Sequence, residues 1–143
     1  MGMKISVKCD YALRAIFDLA LLCSTEGAAT SATSTEIASR QKIPQKFLSQ
    51  VLVEMRQTGL VDARRGPDGG YFLIRSPKVL TVGEVVRSIE QPRKGPWQQG
   101  DPFFPIWSRL NVVVDQVLDK TTFAELAERW QARQTEYVPD WTI

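Results

Sequence analysis

Four polar side chains within a stretch of six residues could form hydrogen bonds with the edges of DNA bases. They are Gln45, Lys46, Ser49 and Gln50. Glutamine can pair twice with adenine, lysine reaches the acceptors of guanine, and serine can take either role. A spacing of three to four residues places such side chains on one face of a helix. These residues therefore predict a helix that contacts base edges, if neighbouring elements hold it in a groove.

Positive charge is concentrated in the same part of the chain. Between positions 40 and 65 there are six basic and two acidic residues, a local net charge of +4. The whole chain is nearly balanced, with 18 basic and 16 acidic residues. The six basic residues are Arg40, Lys42, Lys46, Arg56, Arg64 and Arg65. A protein that neutralises phosphates needs a local patch of this kind even when its overall charge is small.

The elements that must position these side chains begin with two helices. Thr33 and Glu36 have the spacing of a capping box, which predicts a short helix over about 34–40. Pro44 favours the start of a second helix three residues later, because its fixed torsion suits the first helical position. This helix runs over about 44–58, and a glycine follows its end. Its apolar residues form one stripe: Phe47, Leu48, Val51, Leu52 and Met55.

A β-hairpin is predicted immediately after the second helix. Two extended runs, at about 61–65 and 70–74, flank a Gly-Pro-Asp-Gly sequence that favours a turn. Arg64 and Arg65 lie where the chain enters this turn, and strand alternation sends their side chains to opposite faces. We favour Arg65, adjacent to the turn, as the residue that enters a narrow minor groove or holds a phosphate.

A long helix is predicted near the C-terminus, over about 106–119. Four of its apolar residues follow a heptad-like spacing: Ile106, Leu110, Val113 and Val117. Other apolar residues lie beside this seam, so the helix is apolar on more than one side. Such a helix in a small domain packs against its own domain and against a partner. We expect a symmetric dimer, which could read a palindromic site.

The order of elements indicates a mainly α fold with a small β-hairpin wing, that is, a winged helix-turn-helix followed by a long dimerisation helix. Residues 1–78 form the DNA-binding region. Residues 79–143 form a dimerisation and regulatory region that packs with it as one domain. Within this second region, 91–105 is a loop rich in proline and glycine. It contains Trp97, Phe103 and Phe104, which either line an effector pocket or are merely structural.

The composition excludes several classes of function. Histidine is absent, so the commonest general base and metal ligand are missing, and we expect neither an enzyme nor a metal site or cofactor. Arg14 and Asp18 interrupt the most apolar N-terminal run, which argues against a membrane span and for a cytoplasmic protein. The two cysteines, Cys9 and Cys23, suit a reducing compartment. We expect both to be small buried hydrophobes, although Cys9 could act as a redox sensor between subunits.

Several segments resemble the Rrf-type winged-helix transcriptional regulators, the family of IscR, NsrR and CymR. The similar segments include 10–15, 47–52, 59–61 and, most specifically, 65–71 with the sequence Arg-Gly-Pro-Asp-Gly-Gly-Tyr. The resemblance implies a bacterial homodimer that binds double-stranded DNA and is usually a repressor. It places the family's base-contacting positions at Ser49 and Gln50, and its wing arginine at Arg65.

One departure from the family pattern is informative. Members that bind an iron–sulfur cluster have three cysteines in the segment that corresponds to 91–107, where this chain has neither cysteine nor histidine. Asp10 matches a carboxylate ligand of one branch, but a carboxylate without thiolates cannot hold a cluster. We therefore predict a regulator that represses from a palindromic operator without a cluster. The alternatives are a thiol-redox sensor acting through Cys9 and a winged helix that binds a protein.

Overall fold

The computed structural model describes residues 5–26, 30–90 and 99–136. Within these ranges the chain forms six helices and one antiparallel hairpin, and the helices predicted over about 34–40, 44–58 and 106–119 and the hairpin occur in the predicted order. The elements are α1 (Val7–Glu26), α2 (Ser34–Gln41), α3 (Gln45–Gln57), β1 (Val61–Arg64), β2 (Gly70–Leu73), α4 (Val82–Ile89), α5 (Phe104–Lys120) and α6 (Phe123–Glu136).

Helix α1 is the centre of the core and contacts α2, α3, α4 and α6. The Ser6 hydroxyl caps its start, because Oγ accepts the Cys9 amide at 3.0 Å. One face of the helix is almost completely buried: Cys9, Ala12, Ala15, Ile16, Leu19 and Ala20. Asp18 is buried beside this face, and its carboxylate accepts hydrogen bonds from Arg40 and Gln41 at the end of α2. Apolar packing and this polar link together fix α2 against α1.

Helices α2 and α3 are joined by a turn of three residues. The predicted capping box at the start of α2 is confirmed: Thr33 and Glu36 each accept the other's backbone amide on their side chains. Lys42 then turns the chain with a left-handed backbone, φ 55°, which costs an L-residue about 1–2 kcal/mol. The predicted glycine stop after α3 is present at Gly59, with φ 82°. Local sequence therefore determines where α2 begins and α3 ends.

The apolar face of α3 packs on the core, with one exception to the predicted stripe. Four of its residues are buried: Leu48, Val51, Leu52 and Met55. The prediction is wrong for Phe47, which is 54% exposed. Successive helical residues lie about 100° apart, so Phe47 lies at the flank of a stripe centred near Leu48. Helix α3 thus presents an aromatic ring at the surface beside its polar side chains.

The hairpin is attached to the segment that leads into α2. Val61 pairs with Leu73 and Arg64 with Gly70 across the two strands. Tyr71 also exchanges two backbone hydrogen bonds with Ala32, at 2.7 and 2.9 Å. A Cβ at Gly70 would lie 2.4 Å from the Ala32 backbone, so only glycine permits this close approach. The hairpin is therefore held against the body as well as by its own turn.

Of the three C-terminal helices, α4 and α6 pack against the core, whereas α5 lies at the surface. Helices α4 and α6 begin side by side, with the Val82 amide bonded to the Thr121 carbonyl and the Phe123 amide to the Leu80 carbonyl. Phe123 is buried in the core. Helix α5, in contrast, has no buried residue and contacts α4 along its own chain. It begins two residues earlier than predicted, because a proline is accommodated in its first turn.

Candidate nucleic-acid interface

The polar face of α3 is directed away from the core. Lys46 and Gln50 are exposed and Ser49 is half-buried. Gln45 is exposed as well, but its Nε2 donates to the Thr35 hydroxyl at 2.7 Å, which links the first turns of α3 and α2. The structure therefore brings Lys46, Ser49 and Gln50 together at one surface. Gln45 lies at its edge, with its amide partly engaged in positioning α3.

The two arginines at the hairpin have different surroundings. Arg64 is the last residue of β1, and its guanidinium carbon lies 4.7 Å from the centroid of the Phe72 ring. A cation–π contact of this kind holds the side chain along the hairpin. Arg65 follows the strand and is exposed. Below it, the turn is fixed by the bond from the Gly69 amide to the Gly66 carbonyl at 2.9 Å.

The positive patch is smaller than the sequence suggests, because two of its six basic residues form ion pairs within the fold. Arg40 binds the buried carboxylate of Asp18 with three contacts of 2.8 to 3.2 Å, and this hydrogen bond raises the arginine pKa further. Arg56 binds Asp62 at 3.0 Å on the surface. The sequence-based assignment of Arg40 to the patch is therefore wrong: a buried carboxylate requires a partner, and Arg40 supplies it.

Three cations remain at the surface around α3. Lys42, Lys46 and Arg65 are exposed and make no ion pair within the described ranges. The carboxylate of Glu54, on the flank of α3 that faces α1, is paired with Lys8 at 3.2 Å. A negative charge that would repel phosphates is thus neutralised from the neighbouring helix. The surface formed by the exposed side of α3 and the wing is net positive.

The predicted seam of α5 is at the surface of the chain. Ile106, Leu110, Val113 and Val117 are 49% to 61% exposed. Of the aromatic residues assigned to the preceding loop, Phe103 is 58% exposed, and Phe104 is half-buried and opens α5. Trp97 lies outside the described residues.

The two thiols have surroundings that disfavour thiolate chemistry. Cys9 is fully buried, and burial together with the nearby Glu90 carboxylate raises its pKa to about 11. Burial also raises the pKa of the half-buried Cys23 thiol. A reactive cysteine requires exposure and a lowered pKa, so the geometry gives no support to redox sensing through Cys9.

The sequence matches a family model described as "Rrf2: Iron-dependent Transcriptional regulator" over residues 5–129. The chain belongs to the Rrf2 family of transcriptional regulators. Its relatives are bacterial regulators. CymR of Bacillus subtilis is 31% identical over 140 residues, a match that covers 95% of this chain and 98% of that protein.

Solved structures agree with this assignment. The structure of T. potens IscR has a TM-score of 0.78 and 29% identity, and the match covers 99% of this chain and 97% of that one. The structure of B. subtilis CymR, described as a global cysteine regulator, has a TM-score of 0.78 and 30% identity, covering 90% and 98%. These matches confirm the predicted mainly α fold with a small β wing.

The donor atoms of this Rrf2 protein do not fit an iron–sulfur cluster. Such clusters are held by several cysteine thiolates, whereas the chain has two cysteines and no histidine. Both cysteines lie on α1, and Cys9 is fully buried. Among the described residues, no group of three or more His, Cys, Asp or Glu is arranged to hold a metal ion.

In the same ranges, no helix is long and apolar enough to cross a membrane.

Two features of the interface escape sequence reasoning. The Asp18–Arg40 pair joins residues 22 positions apart, and its one sequence signal is a carboxylate within the apolar run of α1. The Lys8–Glu54 pair joins residues 46 positions apart and has no sequence signal at all. Both depend on how the helices pack.

Proposed function

We propose that this Rrf2 protein is a repressor that binds a palindromic operator in double-stranded DNA as a homodimer in the cytoplasm. The observation that carries the proposal is the pairing of an exposed polar face on α3 with an exposed arginine at the wing. In each subunit Lys46, Ser49 and Gln50 contact base edges in the major groove, and Arg65 enters the adjacent minor groove. Gln45 supports these contacts by linking the first turn of α3 to Thr35 of α2, and Arg64 supports them from the hairpin.

The exposed seam of α5 supports the homodimer. Four large apolar side chains in a heptad-like row are poorly matched to water, and burying them against a second copy of the helix is favourable. Helix-turn-helix dimers bind half-sites about 34–36 Å apart, or multiples of that distance, so a palindromic operator follows.

The absence of cluster ligands determines whether repression can depend on an iron–sulfur cluster. No thiolate set is present to change DNA binding in response to iron, so we propose that this protein represses independently of a cluster. The protein-binding alternative differs from this proposal in its response to salt, because a DNA complex weakens steeply as counterions compete for the phosphates.

The test is selection of genomic DNA fragments by the purified protein at near-physiological salt, followed by sequencing. We expect enrichment of one two-fold-symmetric motif. The logarithm of the affinity for it should fall with the logarithm of the salt concentration, with a slope of about 0.9 per phosphate contacted.

Arg65→Ala should weaken operator binding at least about tenfold, because one good groove contact is lost, with an unchanged melting temperature.

The matched control is Arg129→Ala, which removes an exposed arginine from α6 on another part of the surface. It should leave operator affinity within about twofold of the parent. Enrichment of no motif by a folded dimer, with salt-insensitive binding, would favour the protein-interaction alternative. An Arg65→Ala variant that binds as tightly as the parent would remove the wing from the proposal.

A further inference from the structure

Phe47 is an aromatic side chain at the surface of α3 that the core does not use. It is 54% exposed in the first turn of the helix, between the exposed Lys46 and the turns that carry Ser49 and Gln50. Phe47 and Gln50 line one shallow groove between α3 and the start of α1, together with Val7 and Tyr11. An exposed phenylalanine here contributes little to folding, so its contribution must be sought in what α3 binds.

The spacing of Phe47 and Gln50 corresponds to one or two base-pair steps along the duplex. Residues three apart on a helix have Cβ atoms about 5–6 Å apart, whereas successive base pairs are about 3.4 Å apart. When Gln50 pairs with an adenine, Phe47 therefore reaches the edge of a base pair one or two steps away. The apolar group that a base pair presents in the major groove is the C5-methyl of thymine, which phenylalanine is suited to contact.

The charges around Phe47 permit this approach. Glu54 lines the same groove and would repel the DNA backbone, but Lys8 binds its carboxylate at 3.2 Å. Lys46, next to Phe47, is exposed and attracts phosphate. The groove therefore combines an apolar ring with a neutralised carboxylate, and the exposed Lys46 lies next to that ring on α3. This combination suits a base edge better than a charged protein surface.

We propose that Phe47 is a specificity-determining residue that reads the methyl group of a thymine one or two base pairs from the adenine read by Gln50. This inference rests on the proposed function. It assigns a role to the apolar flank of α3, whereas the wing and the polar side chains provide the remaining contacts. Recognition of thymine here does not depend on a hydrogen bond, so it can be separated from the other contacts by removing the methyl group alone.

The test uses the selected operator with each thymine replaced in turn by deoxyuridine, which lacks the C5-methyl and keeps the same hydrogen-bonding edge. We expect one position in each half-site to be sensitive. Loss of that methyl should weaken binding of the parent protein about fourfold for one half-site and about 15-fold for both, as expected for burial of one carbon group. All other positions should change affinity less than twofold.

The Phe47→Ala variant should bind the thymine operator more weakly and show no further loss with deoxyuridine at the sensitive position. Phe47→Leu should retain part of the discrimination and guards against misfolding of the alanine variant. Val79→Ala is the matched control, since Val79 is equally exposed but lies outside α3 and the wing. It should discriminate between thymine and deoxyuridine as the parent does.

Two results would overturn the inference while leaving the proposed function intact. One is a parent protein that binds every deoxyuridine operator as tightly as the thymine operator. The other is an equal loss in the parent and in Phe47→Ala, which would assign the methyl contact to another residue. If no operator can be selected at all, the proposed function fails, and the inference about Phe47 falls with it.

Discussion

The two longest helices of this protein use their apolar residues in opposite ways. Helix α1 has 20 residues and buries one face completely against four other helices. Helix α5 has 17 residues and buries none within the chain. The buried face of α1 is mostly small, with Ala12, Ala15 and Ala20 among its members, whereas the seam of α5 consists of isoleucine, leucine and valine. Small residues allow several helices to approach one another closely, and large ones form a ridge suited to one partner.

Apolar periodicity therefore identifies the apolar face of a helix but does not indicate which element packs against that face. The face of α1 is covered by its own chain, because α2, α3, α4 and α6 surround it. The seam of α5 is exposed among the described residues, and under the proposed function a second copy covers it. Each prediction below asks whether a substitution affects folding of the chain or association of two chains.

The largest effect is expected from charges placed in the α5 seam. Leu110→Glu combined with Val113→Glu would bury two unpaired carboxylates from each subunit of the proposed dimer, which costs several kcal/mol. We expect the dimer dissociation constant to rise by about a thousandfold or more in sedimentation equilibrium, with the helical content of the protomer retained. Val112→Glu, at an equally exposed position off the seam, is the control and should remain dimeric. A dimeric double variant would show that another surface holds the copies together.

A core truncation in α1 should affect folding rather than association. Ile16 is fully buried, and Ile16→Ala removes three carbon atoms from a packed core. We expect a loss of about 3 kcal/mol in the free energy of unfolding, measured by urea denaturation at one fixed protein concentration. The corresponding change Val112→Ala in α5 should cost less than about 0.5 kcal/mol. Equal losses at the two sites would contradict the distinction between the helices.

A polar contact in the body should contribute less than apolar burial. Thr33→Ala removes the cap of α2 and should cost about 1 kcal/mol at pH 7. Hydrogen bonds from Thr33 lower the pKa of Glu36, so the carboxylate stabilises the fold above its ordinary pKa of about 4.5, and that contribution is lost as the pH falls through the lowered value. The difference between parent and variant should therefore shrink in urea titrations between pH 7 and pH 3. A difference that grows toward acid would rule out the capping carboxylate as its source.

The smallest effect is expected where α5 meets its own chain. Arg87 on α4 binds Asp119 and Asp115 on α5, and the hydrogen bond that its guanidinium donates to Asp119 raises the arginine pKa. These groups are largely exposed, so Arg87→Ala should change stability by less than about 1 kcal/mol, and by less still in high salt. Thermal melting of the parent and the variant at two salt concentrations measures this. A loss as large as that of Ile16→Ala would show that α5 is held by its own chain after all.

The sequence alone predicted those parts of the molecule that depend on neighbouring residues. The cap at Thr33, the start of α3 after Pro44, the stop at Gly59 and the turn of the wing each follow from torsions or hydrogen bonds within a few positions. The order of the predicted helices and the hairpin followed from these signals together with apolar periodicity. The solved structures of IscR and CymR agree with the resulting mainly α fold with a small β wing.

The sequence did not predict which side chains the packing would engage. Arg40 was assigned to the positive patch, but its charge is held by Asp18 on another helix. Phe47 was placed in the apolar stripe of α3 with four residues that are buried, but its flank position leaves it exposed. Both errors arise because periodicity gives the direction of a side chain around its own helix and carries no information about the position of the neighbouring helix. The proposed base-reading residues remain predictions for the same reason.

The attachment of the hairpin to Ala32 has a mechanical consequence. Because Tyr71 bonds to Ala32 and the Ser31 hydroxyl donates to the Asp68 carbonyl at 3.0 Å, the wing is fastened to the chain that leads into α2. In the proposed complex, the distance between the wing tip and α3 is therefore constant, and so is the spacing of their two contacts along the duplex. If one base pair is inserted in the operator between the major-groove and the minor-groove contact, the protein would then make only one of the two contacts. The wing cannot move away from α3 to reach both.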